Sequence, residues 1–162
     1  MAGRLWDTGA VRVSTKSDYA LRALIELAAE PGDKPVTADE LGRRQDIPHG
    51  FLQSILGDLR KAGILLSQRG QSGGWRMARP PYAVTVADVF RAVDGPIVSI
   101  YGLRPEAVEY NGRAEILKPV WIAARDALRE VLETVTIEQL AEGELPSSVM
   151  KRTEHIEAWH SR

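Results

Sequence analysis

The sequence predicts a mainly α fold with one small β-wing, an α+β element only in that limited sense. Three observations predict it. Apolar residues recur at helical spacing in several short segments, each opened by a capping signal and closed by glycine or proline. Two short runs of branched and aromatic residues flank the glycine-rich stretch "GQSGG". A longer periodic segment, 114–135, follows a connection that has no period of its own.

Residues 1–12 lack periodicity and read as an N-terminal extension. In "STKSDYALRALIELAAEPGD", Thr15 and Asp18 have the spacing of a capping box. Ala20, Leu24, Leu27 and Ala28 form the stripe of a first helix, and Pro31-Gly32 stops it. Thr37 and Glu40 open a second helix. Pro48 fits the first turn of a third, where its missing N–H costs nothing. Leu52, Ile55, Leu56 and Leu59 make the buried side of that helix, and Gly63 supplies its left-handed cap.

"ILLSQRG" and "GWRMAR" read as two strands joined by the glycine turn, ended by Pro80-Pro81. Strand alternation puts Trp75 and Met77 on one face and Arg76 on the other. A third box, Thr85 and Asp88, opens a fourth helix with Val86, Val89, Phe90 and Val93 inward, and Gly95-Pro96 ends it. Residues 96–113 form a long connection, a length more often functional than idle. The segment 114–135 carries Leu117, Val120, Trp121, Ala124, Leu128, Val131, Leu132 and Val135 on one stripe, and Pro119 either starts that helix or kinks it. Thr136 and Gln139 open a short last helix, and 143–162 reads as a polar, flexible tail.

Composition excludes several chemistries. The 162 residues contain no cysteine, which removes disulfides, thiolate zinc sites, thiol nucleophiles and cysteine-held iron–sulfur clusters. No apolar run approaches a membrane span, and no secretory signal opens the chain, so the expected setting is the cytoplasm. Net charge is −1, but residues 11–80 hold 11 Lys/Arg against 8 Asp/Glu, whereas 81–162 hold 9 against 13. A basic first half suits a nucleic-acid face. No nucleophile–base pair or metal-ligand spacing appears, and "GQSGG" lacks the lysine of a phosphate-binding loop, so the chain reads as no enzyme. His155 and His160 lie in the tail and are weak metal ligands; the expected metal and cofactor complement is none.

Three short helices followed by a hairpin is the element order of a winged helix-turn-helix DNA-binding domain, here spanning 13–95. The outer side of the third helix, with Gln53 and Ser54 able to reach base edges and small Gly50 and Gly57 permitting close approach, is either a reading face or the wet side of an amphipathic helix.

The stretches "VRVSTKSDYALRALIELA", "IPHGFLQSILGDLRKAGILLSQRGQSGGWRMARPP" and "TVADVFRAVDGP" resemble the Rrf family of bacterial winged-helix regulators across residues 11 to 140. Members typically begin Met-Arg-Leu-Ser, and Val11-Arg12-Val13-Ser14 sits at that point, so Val11 is expected to mark an alternative start. The resemblance implies a homodimer in which the helix of segment 114–142 pairs with its copy through Leu117, Val120, Trp121, Ala124, Leu128, Val131 and Leu132. The breadth of that stripe independently asks for cover beyond one small domain. The resemblance also implies contacts to double-stranded DNA from Ser14, Thr15, Lys16 and Tyr19, from His49, Gly50, Phe51, Gln53 and Ser54, and from Arg69, Ser72, Gly73, Gly74 and Trp75. Thr15 is equally well a cap, and Tyr19 and Phe51 equally well core. Lys16 and Arg69 are expected to neutralise phosphates; of the wing arginines, Arg69 is the one expected to face DNA.

Cluster-bearing members use three cysteines in the connection and sometimes a helix-one carboxylate, at Asp18 here; "IVSIYGLRPEAVEYNGRAE" has no cysteine. The connection then either binds a small-molecule effector, docks a protein, or is an inert strut, with Tyr101, Glu106, Glu109 and Tyr110 as its polar candidates. The leading expectation is a dimeric repressor of a palindromic operator. The competing one is a regulator or scaffold acting chiefly through a protein docked at 96–113.

Overall fold

The computed structural model describes residues 12–160, so the expected extension and alternative start lie almost wholly outside the described residues. Helix α1 spans Thr15–Ala29, α2 Ala38–Gln45 and α3 His49–Lys61. Strands β1, Leu65–Gln68, and β2, Gly74–Met77, pair antiparallel with Ser67 opposite Trp75 and Leu65 opposite Met77. Then come α4, Val86–Val93; α5, Leu117–Leu132; α6, Ile137–Glu142; and α7, Ser147–Thr153. This is a winged helix followed by a long helix and two short ones.

The core is built from the inward stripes of α1, α3 and α4, with Leu41 of α2, the base of the wing and α6. Leu24, Leu41, Leu52, Ile55, Leu56, Leu59, Leu65, Val89 and Ile137 all bury completely. Burying nine such side chains fully is the main force holding the layers together, at about 1.5–3 kcal/mol each before entropy is charged. Ile137 joins this core because the chain before α6 pairs with the chain before α4: the Val86 amide donates to the Val135 carbonyl and the Ile137 amide to the Val84 carbonyl, both at 2.9 Å. Thus α6, grouped by sequence with α5 in segment 114–142, packs against α1.

Three of the four expected threonine caps form. Thr37, Thr85 and Thr136 each accept from the amide three residues on, and Thr85–Asp88 and Thr136–Gln139 are reciprocal boxes. The expected Thr15–Asp18 box is corrected: Ser14 is the cap and accepts from the Ser17 amide at 2.9 Å, while Thr15 is the first helical residue. Pro48 is likewise the residue before α3 rather than inside its first turn. Phe90, expected inside, is only half-buried. Helix α5 begins at Leu117, after a tight 3-10 turn over Gly112–Ile116, and Pro119 lies in its first turn, where it starts the helix. The segment read as a flexible tail carries α7, tied to α5 by an Arg152–Glu130 ion pair at 2.8 Å.

Candidate nucleic-acid interface

Helix α3 is amphipathic, and burying Leu52, Ile55, Leu56 and Leu59 turns His49, Gly50, Phe51, Gln53 and Ser54 outward together. Phe51 is 56% exposed, too open for a core residue; its ring meets Tyr19 edge-on at 6.2 Å. Tyr19 takes the core alternative in part: it packs against the buried cluster beneath the Arg22 guanidinium, 5.2 Å from its ring centroid. His49 lies 3.0 Å from Asp39 of α2.

The start of α1 is more committed than expected. The Ser14 hydroxyl caps the helix and donates to Asp94, just past α4. The fully buried Ser17 donates to the same Asp94 carboxylate at 2.5 Å. Lys16, expected to face phosphate, instead forms a 2.5 Å ion pair with Asp58 of α3. That lysine holds the Asp58 carboxyl below the usual carboxylate range. Half-buried and paired, Lys16 ties the start of α1 to α3. Thr15 is exposed.

The wing is fastened on both sides. Beyond its pairing with β1, the Trp75 amide donates to the Val36 carbonyl at 2.8 Å, and the Val36 amide to the Trp75 carbonyl at 2.9 Å. This brings Val36, two residues before α2, against Gly74, whose φ is 146°; a Cβ there would lie 2.6 Å from the Val36 carbonyl carbon and oxygen. A Cβ on Gly73 would lie 2.4 Å from the Gln68 carbonyl oxygen. Gly73 is therefore demanded by the wing's own backbone and Gly74 by the chain before α2, whatever the wing approaches. Trp75 packs partly against the core, with the Arg60 guanidinium 5.9 Å from its ring centroid.

The three wing arginines have different partners. Arg76 pairs with Asp33 at 3.1 Å, and Arg79 donates to the Ala83 carbonyl at 2.5 Å. Arg69, exposed beside exposed Ser72 at the turn, has no ion pair or hydrogen bond among the described residues. Sequence reasoning missed Arg60 and Asp94. Arg60 braces the wing, bonding Ser67 at 3.4 Å as well as covering Trp75, and Asp94 joins the end of α4 to the start of α1. A cation one helix before the wing was the only available hint of the first; nothing local announces the second.

The polar candidates of the connection divide. Glu106 pairs with Arg125 at 2.6 Å, and the Tyr110 hydroxyl accepts from the Trp121 ring N–H at 2.9 Å. A backbone hydrogen bond and Arg125 hold the Glu106 carboxyl low. These two fasten the connection to α5. Glu109 and Tyr101 are exposed; Tyr101 is 92% so, at the tip of a turn closed by Ile100 and Leu103, with φ positive at both Tyr101 and Gly102. Of the expected pairing stripe on α5, Leu117 and Val120 are 38% and 50% exposed, Ala124 is exposed, and Trp121, Leu128, Val131 and Leu132 are half-buried. Exposed Ile116 and Ile122 extend this apolar surface.

The family model described as "Iron-dependent Transcriptional regulator", Rrf2, matches residues 13–143. The chain belongs to the Rrf2 family. An HTH-type transcriptional regulator of Mycobacterium tuberculosis H37Rv is 37% identical over 93% of this chain and 94% of its own. CymR of Bacillus subtilis is 34% identical over 81% of this chain and 90% of its own. The solved structure of that CymR, the global cysteine regulator of its organism, superposes with a TM-score of 0.68 over 83% of this chain and 98% of the other, at 33% identity. IscR of T. potens gives 0.66 over 86% and 96%, at 28% identity. This Rrf2 chain is a DNA-binding transcriptional regulator of winged-helix fold. No described helix is long and apolar enough to cross a membrane.

The iron of the family description finds no thiolate donor in this sequence and no matching donor cluster among the described residues. There is no cysteine, and the Asp18 carboxylate is paired with Arg22 at 3.3 Å. No group of three or more His, Asp or Glu side chains among the described residues is placed to hold a metal.

Proposed function

We propose that this Rrf2 chain is a cytoplasmic homodimer that represses transcription by binding a palindromic operator, without a cysteine-ligated iron–sulfur cluster. The observation that carries the reading is Arg69: alone among the wing arginines it has neither an ion pair nor a side-chain hydrogen bond among the described residues, and the row His49, Gly50, Phe51, Gln53 and Ser54 is exposed as it is. Gln53 reads adenine edges and Ser54 adapts to several bases, while Arg69, Ser72 and the backbone at Gly73 and Gly74 meet the phosphates. The roles of Ser14, Lys16 and Trp75 are mainly to hold α1, α3 and the wing in register, as their internal partners indicate. Pairing of α5 with its copy covers the Leu117, Val120, Trp121, Ala124, Leu128, Val131 and Leu132 stripe, and two-fold symmetry then sets half-sites about one or more helical turns apart.

The exposed turn at Tyr101 favours a second reading, in which a protein partner docks at 96–113 and controls the same DNA-binding domain.

Fluorescence anisotropy with upstream promoter DNA and with random DNA tests the main reading. The expected outcome is nanomolar-range binding to the former and a steep salt dependence. Arg69→Ala lowers the affinity and reduces the salt slope by about one, leaving the oligomeric state unchanged. Indistinguishable binding to both DNAs removes sequence specificity; an unchanged slope in the variant removes Arg69 from the interface.

A further inference from the structure

The space between the winged helix and α5 has its own chemistry. A cleft of about 520 Å³ opens where the turn after α4, the connection and α5 converge, a size typical of small-molecule sites. Its walls carry Arg91, Arg104, Arg125 and Arg129 but only one carboxylate, Glu106. Glu133, beyond the wall, accepts from both Arg91 and Arg129, the latter at 2.9 Å, and those guanidinium groups hold its carboxyl low. Asp88 approaches Arg91 at 3.6 Å while engaged in its helix cap, and Asp126 lies near Arg129.

The carboxylates satisfy only part of this donor set. Each guanidinium presents five N–H donors in a planar fork. Arg125 uses one of its terminal nitrogens on Glu106, and Arg104 has no hydrogen bond or ion pair among the described residues. Four forks gathered around one cleft offer bidentate hydrogen bonds to carboxylate or phosphate oxygens, the pairing in which arginine excels. The walls come from both halves of the molecule: Arg91 from the winged helix, Arg125 and Arg129 from α5, Arg104 from the link between them. An occupant bridging these groups ties the DNA-binding domain to the long helix.

We propose that this cleft binds a small metabolite bearing two anionic oxygen groups, and that its occupancy changes affinity for DNA. The second half of the proposal rests on the DNA-binding reading above; the first does not, because anion binding is measured without DNA.

Isothermal titration of the full-length protein with inorganic pyrophosphate and, separately, with citrate, at ionic strength held constant with potassium chloride, tests the site and separates phosphate from carboxylate preference. We expect at least one probe to saturate with a Kd of about 1 mM or tighter. Arg104→Glu, which breaks no hydrogen bond or ion pair of that side chain among the described residues and loses only its longer-range attraction to Glu106, should weaken that binding at least about tenfold through like-charge repulsion, and Arg69→Ala should leave it unchanged. With promoter DNA, the bound probe should shift half-saturation at least about threefold for wild type but not for Arg104→Glu. Failure of both probes to saturate, or equal binding by Arg104→Glu, overturns the site. Retained anion binding with equal DNA shifts in wild type and variant overturns the coupling.

Discussion

Helices α3 and α5 are both amphipathic, yet they spend their apolar faces differently. Helix α3 buries Leu52, Ile55, Leu56 and Leu59 completely, and α5, the longer of the two, buries no residue at all. In α3 the apolar side is consumed by α1, α2, α4 and the wing, leaving the opposite face exposed. In α5 much of the apolar side still faces outward, covered in part by the connection, where Trp121 meets Tyr110, and by α4. The same sequence pattern therefore marks an internal wall in one case and a partly exposed apolar face in the other. Periodicity reports that a face is apolar; it does not report what covers it.

That contrast can be broken most severely in α3. Leu52→Ala removes a fully buried side chain and should cost about 3 kcal/mol in chemical denaturation, with the usual span of about 2–5. Gly74→Ala comes next. It strains a backbone at φ 146° and drives a Cβ into Val36, so a loss of about 2 kcal/mol and a displaced wing are expected, read by denaturation and Trp75 fluorescence. Val120→Glu on α5 should behave oppositely, changing monomer stability by no more than about 0.5 kcal/mol. Sedimentation should then find monomer in place of dimer, with the helical circular dichroism retained; a dimer that survives would mean that this face of α5 is not the interface.

The smallest effect concerns Lys16 and Asp58. Because Lys16 holds the folded carboxyl below its ordinary value, the stability it lends is present above that ordinary value and lost as pH falls through the depressed one. Wild type should exceed Asp58→Asn by about 0.5–1 kcal/mol near neutrality and converge with it below about pH 4. A gap that widens on acidification would contradict the pairing.

Much of the fold was legible because it is governed by short-range rules. Helix stripes, threonine caps at Thr37, Thr85 and Thr136, and the glycine turn of the wing all depend on residues within a few positions. The errors arise where two local solutions compete. Ser14 and Thr15 offer overlapping caps, and the choice falls to Ser14 because Asp94, 80 residues away, accepts hydrogen bonds from both Ser14 and Ser17. The candidate site divides in the same way. The outward row on α3 follows from helical period alone, and strand alternation sets Arg76 apart from Trp75 and Met77. That Lys16 is spent on Asp58, and Arg76 on Asp33, depends on neighbours 42 and 43 residues distant.

By itself, then, the sequence determined the element order, the outward face of α3, the wing and the lack of thiolate ligands, since each depends on local period, turn chemistry or residue type. Only the tertiary structure decided which charges remain unspent, why Gly74 tolerates no side chain, and that four arginines from distant segments share one cleft. Those outcomes depend on which surfaces meet, and ion pairs and close backbone contacts form across space without leaving any spacing along the chain.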